Sequence, residues 1–243
     1  MKSTHPMTEQ ERAYNSADFA AGASATNPGE TMPAQVGVAA PEFEAPTLDG
    51  TIIRLSGFRG SKHVVMMTGA VTSPMCAFEV PALNALQEEF ADKDFAFMLL
   101  YTRESHPAEN YRAHESFAQK LSYAGELLRL EDVRLPIIVD HLDGRIHRAY
   151  GVWPNALFVI HKDGRLVFRS NMANHDELRQ FLEDIVAADR TVAAGRVVHL
   201  QYSERVVAHE ADQPTHRRVY ERAGPKAFED YWGKRPQHRD RWP

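Results

Sequence analysis

The sequence has little of several features that mark particular classes of protein. It contains a single cysteine, Cys76, which excludes an internal disulfide and a cluster of thiolate zinc ligands. No apolar run approaches the roughly 18 residues that a membrane-spanning helix needs. The formal net charge of −5 gives no indication of nucleic-acid binding. What remains is an ordinary globular composition, with 43% hydrophobic and 25% charged residues.

Two further absences bear on location and on cofactors. Residues 1–10 carry Lys2 and His5 with no apolar core behind them, which is unlike a secretory signal, so we expect a cytoplasmic protein. The 12 histidines include no zinc-type pair such as His-Glu-x-x-His, and the sequence has no glycine-rich phosphate loop. We therefore expect no metal site and no bound cofactor.

Composition divides the chain into three parts. Residues 1–35 are poor in large apolar groups and predict a flexible arm, with a short helix over 9–20. Residues 36–190 alternate strand-like and helix-like segments, which predicts an α/β domain whose parallel sheet is covered on both faces and carries added antiparallel strands. Residues 191–243 are mildly basic and predict a C-terminal extension that packs on the domain, frays, or docks a partner or a second copy.

The elements of the domain follow from turn signals and apolar periodicity. Asp49-Gly50 and Lys162-Asp163-Gly164 predict two hairpins. Apolar runs and helical spacings predict the remaining elements. These are strands at 63–70, 95–101, 135–139, 155–160 and 165–169, helices at 79–91, 106–129 and 175–188, and, in the extension, a strand at 197–202 and a helical turn at 227–232.

The most informative stretch is the end of the first apolar strand, where the chain turns into a helix. With Ser73 as the N-cap, Pro74 and Cys76 take the first and third helical positions. The free N–H groups and the helix dipole favour an anion there, so we expect a lowered pKa and a reactive thiolate at Cys76. The alternative is a small buried apolar side chain, which free cysteines often are.

This stretch resembles the active-site motif of the peroxiredoxins. Ser73-Pro74-Met75-Cys76-Ala77-Phe78-Glu79 is similar to their Thr/Ser-x-x-Cys motif, which is often followed by Glu three residues after the Cys. Gly69 stands where that family has a proline, and no arginine of this sequence can be assigned to the family's thiolate-binding arginine. The resemblance implies a thioredoxin-like fold in which Cys76 reduces a peroxide.

A second resemblance, to the iodothyronine deiodinases, covers most of residues 64–188. Their selenocysteine loop, Gly-Ser-Cys-Thr-Sec-Pro-Pro-Phe, is similar to residues 69–76, which read Gly-Ala-Val-Thr-Ser-Pro-Met-Cys and place Ser73 at the selenocysteine position. Three further motifs match in order along the chain. They begin at Tyr101-Thr102-Arg103-Glu104-Ser105-His106, at His114-Glu115-Ser116-Phe117 and at Tyr150-Gly151-Val152-Trp153-Pro154.

The deiodinase resemblance implies that Glu104 and His106 face the active site at the end of the second core strand. There they would relay a proton or orient a substrate phenol. The alternative is a helix-capping cluster before Pro107. His114 would either line the same site or lie on a helix surface.

The same resemblance implies a loop opposite the helix start. Pro154 would be the cis proline of the thioredoxin fold. Trp153 beside it would either wall a substrate pocket or fill the core. Thr72 and Ser73 would shape the pocket and form hydrogen bonds within it.

Three functions follow as hypotheses. The first is a thiol-dependent oxidoreductase of the deiodinase/redoxin type, in which Cys76 attacks a peroxide or a similar electrophile and an external thiol regenerates it. The second is a redox-inactive thioredoxin-fold protein that binds a small aromatic ligand or a protein partner. The third is a reductive dehalogenase of iodinated phenols, for which the Ser73 hydroxyl offers no redox chemistry. We expect a small-molecule substrate and a thiol reductant as partners, and a homodimer stays open.

Overall fold

The computed structural model describes residues 6–17, 33–199, 201 and 213–233. A hairpin of β1 (Glu44–Pro46) and β2 (Ile52–Arg54) precedes the main sheet. The main sheet contains β3 (His63–Gly69), β4 (Phe95–Tyr101), β5 (Ile137–Val139), β6 (Leu157–Ile160) and β7 (Leu166–Ser170). Their spatial order is β5-β4-β3-β6-β7, with β3, β4 and β5 parallel and β6 and β7 antiparallel to their neighbours.

Helices flank the sheet and continue into both ends of the described chain. They are α1 (Glu9–Tyr14), α2 (Pro74–Glu89), α3 (Phe117–Leu130), α4 (Arg145–Tyr150), α5 (His175–Ala193), α6 (Gln213–Ala223) and α7 (Pro225–Phe228), with a 3₁₀ turn at Leu55–Phe58 and a π-type turn at Glu229–Gly233.

Within the described residues, no helix has the length and apolar character required to cross a membrane.

The central strand β3 is buried along its whole length and separates two apolar layers. Successive side chains of a strand point to opposite faces, so its residues contribute alternately to the two layers. Val65 and Met67 pack with the apolar faces of α2, α3 and α5. Val64 and Met66 pack with α4 and with the segment around the first hairpin. A strand covered on both sides in this way reads as a continuous apolar run.

The predicted mixed sheet flanked by helices is confirmed, together with both hairpins. Three predicted elements were wrong in their bounds or absent. The helix runs over Pro74–Glu89, so the start predicted from the Ser73 cap is confirmed and the start predicted at Glu79 is five residues too late. Residues 106–116 form a loop, and the helix begins only after Ser116, whose hydroxyl accepts the N–H of Gln119. Residues 197–199 and 201 are not in a strand, while Tyr202 lies outside the described residues.

Two helices were not predicted, and both lie close to the candidate site. Helix α4 is only six residues long, and α6 lies in the extension. The short helix predicted in the N-terminal arm is present as α1, and Tyr14 at its end is buried against the domain. Most of the predicted flexible segment falls at 18–32, outside the described residues. The bounds of arm, domain and extension stay predictions.

Gly69 ends β3 at a point where the backbone approaches the sulfur of Cys76. A Cβ atom built on Gly69 would overlap the Cys76 Sγ atom. Both residues are buried, so neither has room to move aside. Only glycine therefore fits between the strand end and the first turn of α2.

Gly69→Ala is expected to lower the free energy of unfolding by about 1–3 kcal/mol, because the added methyl overpacks a dense core. Urea denaturation measures the change. Gly125→Ala is the matched control, since Gly125 lies inside α3 with no atom within 4 Å of an added Cβ. That control is expected to stabilise by roughly 1 kcal/mol through helix propensity. If Cys76→Ala does not reduce the cost of Gly69→Ala, the close contact is not its cause.

Candidate active site

The helix start has the local geometry that the sequence predicts. Ser73 is the N-cap of α2, and its Oγ accepts the backbone N–H of Cys76 at 3.3 Å. Pro74 occupies the first helical position, where a missing N–H costs nothing. Cys76 is therefore the third residue of the helix, as expected.

The ionisation of Cys76 is the opposite of the expected one. Its side chain is fully buried, and burial raises its pKa to about 12, with the negative charge of Glu131 acting in the same direction. The backbone of Ala70 and the Arg222 guanidinium only partly oppose this. A helix N-terminus is worth at most ~2 kcal/mol, or about 1.5 units of pKa, whereas full burial shifts a group by about 3–5 units. Desolvation therefore outweighs the helix dipole, and the expected lowered pKa was wrong.

Thr72, one residue before the cap, connects the ends of β3 and β4. Its hydroxyl donates to Glu104 Oε2 at 2.6 Å, and its N–H donates to the same oxygen at 3.2 Å. The hydroxyl oxygen also accepts the backbone N–H groups of Ser105 and His106, each at 3.1 Å. The loop after β3 and the loop after β4 are thus held together by one buried side chain.

Glu104 is a buried carboxylate that stays ionised through its hydrogen bonds. Burial alone would raise its pKa, but bonds from His114 Nε2 at 3.1 Å, from Thr72 and from the Tyr101 hydroxyl outweigh it and lower the pKa. His114 is itself fully buried, and desolvation lowers its pKa despite the neighbouring carboxylate. The structure therefore brings Thr72, Glu104 and His114 together, while their roles in a reaction stay predictions.

His106 lies beside this network but faces the C-terminal extension. Its Nε2 atom is 3.4 Å from the Tyr220 hydroxyl, and its ring packs edge-on against Tyr220 with centroids 4.7 Å apart. The ring of Tyr231, whose centroid lies 4.4 Å from that of Tyr220, also packs edge-on against His106, at 5.9 Å. His106 is only 6% exposed, so the extension covers a residue that the sequence places in the site.

The extension also reaches the loop that precedes the helix start. Arg222 on α6 donates to the Val71 carbonyl at 2.7 Å and to Glu131 at 2.6 Å. Arg218, one turn earlier, makes two bonds of 2.9 Å to the same carboxylate. Neither Arg218 nor Arg222 was predicted from the sequence to lie near the site. The apolar spacing of Val219, Tyr220 and Ala223, all buried, was the signal that predicts a packed helix here.

The loop containing Trp153 and Pro154 lies near the end of β3, as the resemblance implies. The Trp153 carbonyl accepts the Thr68 hydroxyl at 2.9 Å, and the Trp153 side chain is 6% exposed. Pro154 is half-buried. No peptide bond among the described residues is cis, so the expected cis peptide at Pro154 was wrong. A substrate-binding role for Trp153 and Pro154 stays a prediction.

His63, His161 and Asp189 form a polar cluster at the opposite end of β3 from the helix start, with potential ligand atoms within 4.8 Å of one another. His63 Nδ1 accepts the Lys162 N–H at 3.2 Å, and its Nε2 lies 3.0 Å from Asp189. The neutral ring must then carry its proton on Nε2, which donates to the carboxylate. Lys162 Nζ occupies the same carboxylate oxygen at 2.6 Å. These residues and Lys162 therefore form a hydrogen-bonded cluster around the Asp189 carboxylate. Both ring nitrogens of His63 already have hydrogen-bond partners, so His63 is poorly suited to bind a metal.

Comparison with known proteins gives the family. The model of the AhpC/TSA family matches residues 36–169. The chain belongs to the AhpC/TSA family. A thiol:disulfide interchange protein from Bacteroides sp. superimposes with a TM-score of 0.51 at 18% identity, covering 64% of this chain and 93% of that one. The thioredoxin-like α/β fold is therefore confirmed, and with it the redoxin branch to which the family belongs.

Curated relatives of this AhpC/TSA member fall into two groups. Thyroxine 5-deiodinase from Gallus gallus is 28% identical over 141 residues, covering 54% of this chain and 54% of that protein. Thiol-disulfide oxidoreductase ResA from Bacillus thuringiensis subsp. konkukian is 25% identical over 153 residues, covering 62% and 79%. The chain thus spans about half the length of the deiodinases that it matches.

Alkylation of Cys76 by iodoacetamide, which consumes thiolate, is expected to accelerate continuously up to about pH 10, because burial holds the thiol protonated over that range. The rate is measured by intact mass, which is unambiguous with one cysteine. The same chain unfolded in urea is the control, and its rate should level off above the ordinary thiol pKa of about 8.5. A native rate that levels off below pH 8 would contradict the raised pKa.

Proposed function

We propose that the protein is a thiol-dependent oxidoreductase of the redoxin type, with Cys76 as its reacting sulfur. The observation that carries the proposal is the position of Cys76, the only cysteine of the chain, in the first turn of α2 behind the Ser73 cap. Membership of the AhpC/TSA family supports it, as does the thiol-disulfide activity named for the ResA relative.

In the proposed reaction, the Cys76 thiolate attacks one oxygen of a peroxide, ROOH. An S–O bond forms and the O–O bond breaks, so the sulfur is oxidised to sulfenic acid while the alkoxide leaves and takes a proton as ROH. One external thiol then condenses with the sulfenic acid and releases water. A second thiol exchanges with the mixed disulfide, which restores Cys76 and leaves an external disulfide. With one cysteine per chain the reductant is external, and we place the cycle in the cytoplasm, where thiols are kept reduced.

The conformation with α6 in place is the resting state of this cycle. A pKa of about 12 leaves about one thiolate per 10⁵ molecules at pH 7, which is too few for rapid attack. The largest cause is burial, and Arg222 of α6 bonds the Val71 carbonyl in the loop just before the helix start. Glu131, the second cause, is also the carboxylate that anchors Arg218 and Arg222. Movement of α6 would relieve burial, the largest cause of the raised pKa, and so favour ionisation, although withdrawal of the Arg222 charge would act in the opposite direction.

Treatment of the wild-type protein at pH 8 with hydrogen peroxide, in equal or greater amount, and dimedone is expected to add one dimedone per chain. Peptide mass spectrometry should place it on Cys76, and Cys76→Ser should give none. Glu131→Gln is expected to raise the rate of adduct formation at least threefold, because it removes a charge that raises the thiol pKa and weakens the anchor of α6. Glu221→Gln, an exposed partner of Arg217 on the same helix, is the matched control and should leave the rate unchanged.

A second candidate is a redox-inactive binding protein for a small aromatic ligand or a protein partner. The observation that favours it is the burial of both Cys76 and Ser73, with a neutral thiol and no second cysteine. Absence of a dimedone adduct from both the wild-type protein and Glu131→Gln would reject the oxidoreductase proposal and leave this candidate in its place.

Reductive dehalogenation of iodinated phenols is the third candidate. The identity to the deiodinases over 141 residues favours it. Ser73 stands at the position of their selenocysteine, and a hydroxyl cannot take up the iodine reductively. We therefore expect no iodide release from an iodophenol in the presence of a dithiol, measured by an iodide-selective electrode against a protein-free control. Release above that control would move dehalogenation to first place.

A further inference from the structure

Tyr14, the last residue of α1, lies in a socket beyond the carboxyl ends of β4 and β5. The Arg103 guanidinium carbon and Lys120 Nζ each lie 5.5 Å from the centre of its ring. Arg103 is in the loop after β4, and Lys120 is on α3. Gly144 closes the socket with a positive φ of 67°, and a Cβ atom there would fall on the ring. The socket is therefore shaped to a flat aromatic ring with cationic neighbours.

The hydroxyl of Tyr14 is held as specifically as its ring. It lies 2.8 Å from His147 Nδ1 and accepts the backbone N–H of Arg103 at 3.2 Å. His147 Nε2 donates to the Trp153 carbonyl at 2.9 Å, and burial lowers the pKa of His147 to about 3, so the ring is neutral and Nδ1 can only accept. Tyr14 must therefore donate its hydroxyl proton to Nδ1. A phenylalanine would leave both the nitrogen and the N–H without this partner.

The walls of the socket are unusually polar for so buried a place. Lys120, Asp140 and His147 are all 0% exposed. Lys120 Nζ bonds the His141 carbonyl at 3.1 Å, and Asp140 accepts the N–H groups at the start of α4. Buried polar groups are costly unless they are satisfied, so a packing site for an ordinary apolar side chain would not be built from them. Their arrangement matches the polar tip and the π-face of a tyrosine.

Outside the socket, a few hydrogen bonds hold the segment that carries Tyr14 against the domain. Within α1 only Tyr14 is buried, and the helix has six residues, too few to be stable in isolation. Asn15 Nδ2 donates to the Leu142 carbonyl at 2.8 Å, while Arg103 and Lys226 donate to the Tyr14 and Ala17 carbonyls at 3.0 and 3.3 Å. Residues 18–32, between this segment and the domain, number 15 and could reach at most about 50 Å, so the segment would stay tethered to the domain after leaving the socket.

We propose that this socket is a binding site for a tyrosine side chain presented on a short peptide segment, and that residues 6–17 of this chain are its tethered and exchangeable ligand. The site lies next to the candidate active site, because Arg103 directly precedes Glu104 and His147 holds the carbonyl of Trp153. The proposal uses neither Cys76 nor any redox step, so its test is independent of the proposed function.

The test adds a synthetic peptide of residues 6–17 to full-length Tyr14→Ala protein and measures binding by calorimetry. We expect one peptide per chain. The peptide carrying Tyr14→Phe should bind at least tenfold more weakly, because it lacks the hydroxyl bonds, and the peptide carrying Tyr14→Ala should not bind. The wild-type protein should bind the peptide at least tenfold more weakly than Tyr14→Ala does, because its own tyrosine competes at a high effective concentration. A peptide with Arg12→Ala, an exposed position, is the matched control and should bind within twofold of the original.

Two outcomes overturn the proposal. One is no binding of the 6–17 peptide at millimolar concentration to Tyr14→Ala protein that retains its circular dichroism and its cooperative melting. The other is equal binding of the phenylalanine peptide, which would show that the socket binds the aromatic ring without selecting for the hydroxyl.

Native-state hydrogen exchange of the wild-type protein decides the case if Tyr14→Ala does not fold. The amides of α1 should exchange at least 100-fold faster than those of β3 and β4, through local opening. Exchange of α1 at the same rate as β3 would show that the segment leaves only on global unfolding, and would overturn the proposal.

Discussion

The hydroxyl of Thr72 is the contact on which the candidate active site depends. It donates to the Glu104 carboxylate at 2.6 Å and accepts two backbone N–H groups of the following loop. A buried carboxylate is tolerable only when its oxygens accept hydrogen bonds, and Thr72, Tyr101 and His114 donate them to Glu104. The bonds fix the ends of β3 and β4 against each other, and so fix the start of α2. The chemistry available to Cys76 is set by this closed, prearranged frame.

Cys76 shows two electrostatic effects in competition. The free N–H groups at the start of α2 favour a negative sulfur, and the removal of water disfavours it. Since desolvation acts on the whole charge and the helix terminus offers only a fraction of a charge, burial prevails. A reactive thiol at this position therefore requires water to reach it. Control of its reactivity would lie with the elements that exclude water, rather than with the helix that presents the sulfur.

Local signals were sufficient for much of the fold. Continuous apolar runs predict β3 and β4, and the caps Ser73 and Asn174 are predictable because each bonds an N–H only three residues away. Long-range contacts were beyond such signals. The loop before Cys76 is bonded by Arg222 of α6, which comes from a distant part of the chain. Residues 106–116 form a loop rather than a helix, in which Ala108 and Tyr111 are buried and the Asn110 N–H bonds the Ala223 carbonyl. Periodicity carries no information about partners that distant.

The span that matches the AhpC/TSA family, 36–169, contains the frame of the site, but both its covers come from outside that span. Helix α6 lies over the helix start, and the segment with Tyr14 lies over the neighbouring strand ends. The Tyr14 segment is also bonded to α7, the helix that follows α6, because Lys226 Nζ donates to the Ala17 carbonyl at 3.3 Å. The described segments 6–17 and 213–233 are thus joined by a hydrogen bond. Departure of segment 6–17 from its socket would therefore also break its bond to α7, so that the two coverings are coupled through this contact.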